Sequence, residues 1–445
     1  MPVLLIALLA ADAPAAGTPA AGTPAAGTST RFLGDGLHQT DAADLPLEWD
    51  DLSGTAWQHE LPGPGSSTPL LLGDRIYVTC YTGFGVNPDD EGKVERSELV
   101  RHLVCLRAAD GAEVWRASQP ARMPEDPYNG FLREHGYATN SPVTDGERVF
   151  VFHGKSGVFA YDLDGRQLWT ADVGQETSVK AWGSAATPLV APAAGDQPAM
   201  LIVNASEESA ALYAFDCRTG ELLWKSEADS LRQSYATPRL ATVDGRRQIV
   251  LGVPGELWGM AVETGKLIWY AEVPVPSNVS PTPAIADGVA YLVGGRPGGS
   301  AAVRLAGTNG EPMKGDVTDS NVLWTSRKSS YVPSPVVKDG RVFFVSDKGI
   351  AVCLDAATGE VIKERRIATG GGFLGMAVYS SVLLAGDRLY CVTRTGGTYV
   401  LAADPTLRTL AHNELTDPTQ FNASPVAVDG RLYLRSDLSL YAIGQ

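Results

Sequence analysis

Glu207 and Glu208, in Asn204-Ala205-Ser206-Glu207-Glu208-Ser209, are the two residues whose types and spacing could do acid–base work. Adjacent acids can share a proton, one giving while the other takes, or offer hard oxygen ligands to a cation. Neighbouring loop acids more often stay solvated, and that is the reading adopted for this pair. No nucleophile elbow, zinc-binding helix or Walker loop accompanies them. The acidic stretch from Asn87 to Arg96 lacks the alternating spacing of a calcium loop and reads as solvated and mobile. Gly294 to Gly299 is glycine-rich but leads into a strand, so it lacks a helix N-terminus to cradle phosphate and reads as a long turn. His153 follows the apolar run Val149-Phe150-Val151-Phe152 and reads as structural. Cys80, Cys105, Cys217, Cys353 and Cys391 stand singly in strand-like runs, as small buried hydrophobes rather than disulfide or metal partners.

The elements that would position these groups repeat. Asp110-Gly111-Ala112-Glu113-Val114-Trp115 returns as Asp164-Gly165-Arg166-Gln167-Leu168-Trp169, then Thr219-Gly220-Glu221-Leu222-Leu223-Trp224 and Thr264-Gly265-Lys266-Leu267-Ile268-Trp269. A glycine turn feeding a short strand that ends in tryptophan, at intervals of about fifty residues, marks stacked four-stranded sheets. Proline after Ser or Thr opens each unit, where its missing N–H costs no ladder bond. These starts lie at Thr68, Ser141, Thr187, Thr237, Thr282, Ser334 and Ser424, with a degenerate eighth at Ser381-Val382. From Ser334 the pattern parses into four strands separated by Asp339-Gly340, Asp347-Lys348-Gly349 and Thr358-Gly359 turns. The last copy ends after three strands, whereas Thr55 to Leu61 is a tryptophan strand with none before it. The expected fold is therefore all-β: an eight-bladed propeller of four-stranded antiparallel blades. The N-terminal strand joins the C-terminal three, which removes exposed sheet edges.

Residues 45–445 form the single propeller domain of this reading. Residues 1–14 carry an apolar run too short to span a bilayer and resemble a secretory signal, although no Lys or Arg precedes it. Residues 15–44, with tandem Ala-Ala-Gly-Thr-Pro, read as a disordered tether. The chain is expected to be exported, periplasmic or extracellular, a monomer with no membrane span. A formal charge of −15 argues against a nucleic-acid partner.

Ser-Pro, Asp-Gly-Arg-Val-Phe, Leu-Asp-x-x-Thr-Gly-Glu and Trp together resemble the quinoprotein-type, or PQQ-like, propeller repeat, over roughly residues 45 to 445. The resemblance implies that Trp57, Trp115, Trp169, Trp224, Trp269 and Trp324 dock adjacent blades. Docking should be weaker at blades six and seven, where Lys363 and Thr409, or a neighbour, stand near that place. The resemblance also covers two functions, quinone-dependent alcohol and sugar dehydrogenases and non-catalytic outer-membrane assembly scaffolds. The dehydrogenases cover the quinone with a disulfide between adjacent cysteines, hold Ca²⁺ with carboxylate and amide oxygens, and use an aspartate base. No adjacent cysteines exist here, so neither PQQ nor Ca²⁺ is expected.

The favoured function is non-enzymatic: binding of a protein segment or small polar ligand at the face carrying the inter-blade links. A quinone dehydrogenase and a carbohydrate-binding propeller using Trp182 and Tyr235 are the alternatives. Candidate contacts in those links are Arg133, His135, Trp182, Arg232 and Tyr235, with Asn278, Tyr331, Phe373 and Asn422 further along the chain. Glu207 should border the same mouth. Tyr137, Tyr235 and Tyr331 precede Ser or Thr at similar spacing, which favours a packing role for them. His135, Trp182 and Arg232 do not repeat and are the stronger binding candidates.

Overall fold

A computed structural model describes residues 39–40, 45–87, 89–90, 92–308, 310–370 and 375–444. Eight antiparallel sheets follow one another round a ring, each with its first strand innermost and its fourth outermost. In the sixth blade the strands are Val336–Lys338, Arg341–Val345, Ile350–Asp355 and Val361–Arg366. The second and third strands are buried on both faces and read as continuous apolar runs, whereas outer strands such as Thr55–Glu60 alternate between half-buried and exposed. The seventh blade begins at Leu383–Ala385, after the degenerate Ser381 start. Thr55–Glu60 pairs antiparallel with Ser439–Ile443, so the chain ends are joined in the eighth blade. The expected signal segment and most of the expected tether lie outside the described residues. Within the latter, the backbone of Gln39–Thr40 pairs parallel with Leu384–Ala385 at the inner edge of blade seven.

Each strand start contributes to a belt. The backbone N–H of Thr68 donates to Ser141 Oγ at 2.9 Å, and the pattern continues through Thr187, Thr237, Thr282, Ser334 and Ser381 to Ser424 Oγ. Proline explains only why a strand begins; the residue before it links one blade to the next.

Tryptophans make the corresponding contact at the periphery. Trp57, Trp115, Trp169, Trp224 and Trp324 each donate Nε1–H to a carbonyl of the following blade, at Ala108, Leu163, Cys217, Val262 and Ala356, over 2.9–3.1 Å. Each ring lies on the glycine of that blade's third-to-fourth turn, as Trp169 does on Gly220. Trp269 departs from the expected docking role. It is fully buried, donates to Gln248 Oε1 at 2.8 Å, and lies over Gly259 in its own sheet. The reason is in the next blade, where residues 305–308 and 310–321 stand in place of the short turn and Gly315–Asp316 pairs with the outer edge of Trp269–Tyr270. Lys363 occupies the tryptophan register in blade six, opposite Cys353; in blade seven that register falls to Ala411 rather than Thr409.

Gly294 to Gly299 is not a long turn. Val289–Gly295 and Gly298–Arg304 form a continuous ladder closed by Arg296 and Pro297 alone. Glycine is required because a Cβ on Gly298 would stand 1.8 Å from the Gly294 carbonyl oxygen. The Asn87–Arg96 stretch, apart from Pro88 and Glu91, is organised around buried Asp90, whose carboxylate accepts from Asn87 N at 2.8 Å.

Candidate functional site: the roofed mouth of the central channel

The links from fourth to first strands converge on one face, and the first of them crosses it. Phe131 and the short helix Leu132–His135 lie over the channel mouth. The Phe131 ring centroid is 4.9 Å from Trp182, 5.4 Å and edge-on from Tyr331, and 6.3 Å from Tyr379, so three other links hold one ring. Polar contacts fix the far side of this roof. Arg394 in blade seven pairs with Glu134 at 2.7 Å and donates Nε–H to Asn422 Oδ1 at 2.9 Å. Asn422 Nδ2 in turn donates to the Glu134 carbonyl at 3.0 Å.

His135 is buried within this roof. Its Nε2 faces the Trp182 carbonyl at 3.0 Å and its Nδ1 faces Thr139 Oγ1 at 2.6 Å. A carbonyl can only accept, so the proton sits on Nε2. Burial lowers the imidazole pKa to about 4, and the ring is neutral. This residue positions the Trp182 link instead of offering a free nitrogen. Asn422 is likewise engaged with protein partners. Tyr235 and Tyr331 are buried in the wall with Trp182 5.8 Å from Tyr235, and Asn278 is buried beside Tyr331. Arg232 lies further out, paired with Glu176 at 2.9 Å, and Arg133 is exposed on the roof. Phe373 lies outside the described residues.

The expectation of solvated carboxylates at Glu207 and Glu208 is overturned. Ser206–Ser209 forms a helical turn that tucks both under neighbouring links, leaving them 3% and 1% exposed. Ser178 Oγ donates to Glu207 Oε2, while Glu207 Oε1 and Glu208 Oε2 have no hydrogen-bond partner among the described residues. Burial raises Glu207 to about 7; burial, with the Glu207 charge second, raises Glu208 to about 8. Glu208 lines a smaller cleft of about 280 Å³, its open mouth included, together with Arg101, Glu125, Asp126 and Lys155. There the opposite charges are already matched, Arg101 with Glu125 and Lys155 with Asp126, both at 2.6 Å. Such an arrangement leaves Glu208 as a neutral acid without a reaction partner.

Phe131, Tyr379, Arg394 and Val179 were not singled out from the sequence. Tyr379 had a signal, since it stands two residues before Ser381 as Tyr235 stands before Thr237. Val179 is 99% exposed beside Lys180, whose Nζ lies 5.4 Å over the Trp182 ring.

The cavity beneath the roof does not fit the quinone set that the repeat brings to mind. The cysteines are single and buried in strands, and no carboxylate lines this cavity among the described residues.

Among known proteins, the family described as outer membrane protein assembly factor BamB matches residues 82–198 and 316–444. The outer membrane protein assembly factor BamB of Yersinia pestis is 25% identical over 315 residues, which cover 67% of this chain and 73% of that protein. The protein of the same name from Burkholderia pseudomallei (strain K96243) is 26% identical over 374 residues, covering 76% and 84%. The crystal structure of BamB from Moraxella catarrhalis superposes with a TM-score of 0.59 at 15% identity, over 88% of this chain and 97% of that one. The computationally designed Ika8 protein gives 0.55 at 11% identity, over 88% and 100%. At these identities the two structures share the fold alone.

Proposed function

This chain belongs to the family described as outer membrane protein assembly factor BamB, and from that premise we propose that it is an exported, non-enzymatic scaffold for outer membrane protein assembly, holding a protein partner at its roofed face. The observation that carries the docking face is Val179. A valine 99% exposed, next to Lys180 and the half-buried Trp182, gives the link that follows blade two an apolar and cationic edge on the roofed face. Lys180 has no ion-pair partner among the described residues. An exposed apolar group beside a cation offers both apolar and charged contacts to a partner chain. No resident quinone or Ca²⁺ belongs to this reading.

A photo-crosslinking amino acid at position 179, in the full chain expressed in its native host, tests it. The expected product is a discrete adduct with a component of the outer membrane protein assembly machinery, identified by mass spectrometry and weakened by Lys180→Glu. The same group at Arg246, exposed at the start of the second strand of blade four on the opposite face, should give no such adduct. Equal adducts from both positions, or none from 179, would count against the docking face.

A further inference from the structure

Beneath Phe131 the channel floor carries an unspent hydrogen-bonding capacity. The hydroxyls of Thr187, Thr237, Thr282, Ser334, Ser381 and Ser424 line one cavity of about 760 Å³, its open mouth included. Each already accepts a backbone N–H from the preceding blade, at 3.0–3.2 Å. A hydroxyl has one proton and two lone pairs, so each group retains one donor and one acceptor. None of the six protons meets an acceptor among the described residues, although every one of these side chains is buried. Buried donors without partners are costly, and this circle of them faces a shared space.

Above the circle stand the rings of Trp182, Tyr235, Tyr331 and Tyr379, roofed by Phe131. The lining contains no Lys, Arg, Asp or Glu. His135 lines it as the neutral imidazole described above. A charged occupant would therefore enter without a counter-charge, at high cost. An apolar occupant would strand the hydroxyl protons, and an acceptor-only occupant would leave the remaining lone pairs idle. The matching chemistry is a neutral ring with an apolar C–H face for the aromatics and hydroxyls that both give and take hydrogen bonds.

We propose that this cavity is a binding site for a neutral saccharide, one sugar ring deep, stacked against the Trp182–Tyr235 wall with its hydroxyls on the Ser/Thr circle. The site lies below the roof and does not depend on the scaffold reading, which concerns the rim at Val179 and Lys180. Sugar binding can fail while crosslinking from position 179 persists, and the reverse.

Isothermal titration calorimetry and saturation-transfer NMR on the full chain, with D-glucose, N-acetylglucosamine and maltose, provide the test. At least one should bind, with the anionic glucuronate and cationic glucosamine, which keep the ring, bound more weakly. Thr237→Val removes one donor–acceptor group and should weaken binding about fivefold, the equivalent of one net hydrogen bond. Because that change also removes the acceptor of the Thr187 N–H, Trp182→Ala serves as the second variant, with thermal melts as the control for folding. It should lower affinity at least as much, and Trp182→Phe should restore part of the loss. The absence of saturable binding by any neutral sugar would overturn the proposal, as would binding unchanged by both variants or a preference for the charged sugars.

Discussion

Arg394 and Glu134 form an ion pair at 2.7 Å between blade seven and the link that follows blade one, with side chains 4% and 10% exposed. Through it the roof is tied to the far side of the ring. The same guanidinium stacks 5.7 Å over Tyr379 and donates to Asn422, so one side chain gathers three links. Arg394→Ala would leave the Glu134 carboxylate in a desolvated place without its partner, a change that costs about 3 kcal/mol. The expected result is a lower melting temperature and faster amide exchange over residues 131–136, measured by mass spectrometry. Arg394→Lys should recover only part of the protection, because a point charge cannot reproduce the fork. Unchanged exchange over the roof would show that its aromatic contacts suffice.

Gly220 and Gly245 separate a turn requirement from a docking requirement. Their φ angles are +73° and +74°, so alanine at either position meets the left-handed penalty of about 1 kcal/mol. Around Gly245 nothing lies within 4 Å, whereas a Cβ on Gly220 would stand 2.6 Å from the Trp169 ring of the preceding blade. Gly220→Ala should therefore destabilise by about 1–3 kcal/mol more than Gly245→Ala, the usual cost of overpacking. Denaturant unfolding of the two variants checks this. Equal losses would mean that the inter-blade contact yields without cost.

What the chain disclosed in advance was local. Asp339-Gly340 and Ser334-Pro335 specify a turn and a strand start within a few residues, and repetition made the count of eight readable even where Ser381 lacks its proline. Trp57 without preceding strands was enough to place the ring closure, because an unpaired edge needs a partner. Trp269 misled because a docking tryptophan depends on the glycine offered by the next blade. The missing Thr-Gly turn before Val322 was the available sign. Glu207 and Glu208 misled for a related reason. Ser178 and the Lys155–Asp126 pair that enclose them come from other links, and a polar tetrapeptide looks the same under solvent as under protein. The roof was least legible, since Phe131 and Glu134 acquire their roles from Tyr331, Tyr379 and Arg394, remote in the chain.

Burial of the glutamate pair gives the protein a pH dependence of unusual sign. In the fold Glu207 titrates at about 7 and Glu208 at about 8, against an ordinary value near 4.5. Below that ordinary value both acids are protonated whether the chain is folded or not, and their contribution is fully present. As pH rises through 4.5 to 8 the unfolded chain releases protons that the fold still holds, so stability declines, by at most about 1.4 kcal/mol per pH unit for each group. His135 and His153, lowered by burial to about 4 and about 3, act oppositely: the unfolded chain takes up protons below about pH 6.5 and stability declines as pH is lowered. His59 and His102 are lowered in the same way, and an unfolded histidine still holds half its proton at about pH 6.5, so it is the interval from about pH 7.5 to 8 that isolates the glutamates. Wild-type melting temperature should fall across it, and Glu208→Gln, which keeps the shape of the neutral acid, should flatten the slope. Glu207→Gln should flatten it in two ways, by removing its own titration at about 7 and by removing the charge that helps hold Glu208 protonated. Parallel curves for the wild type and both variants would place these carboxyls in contact with solvent.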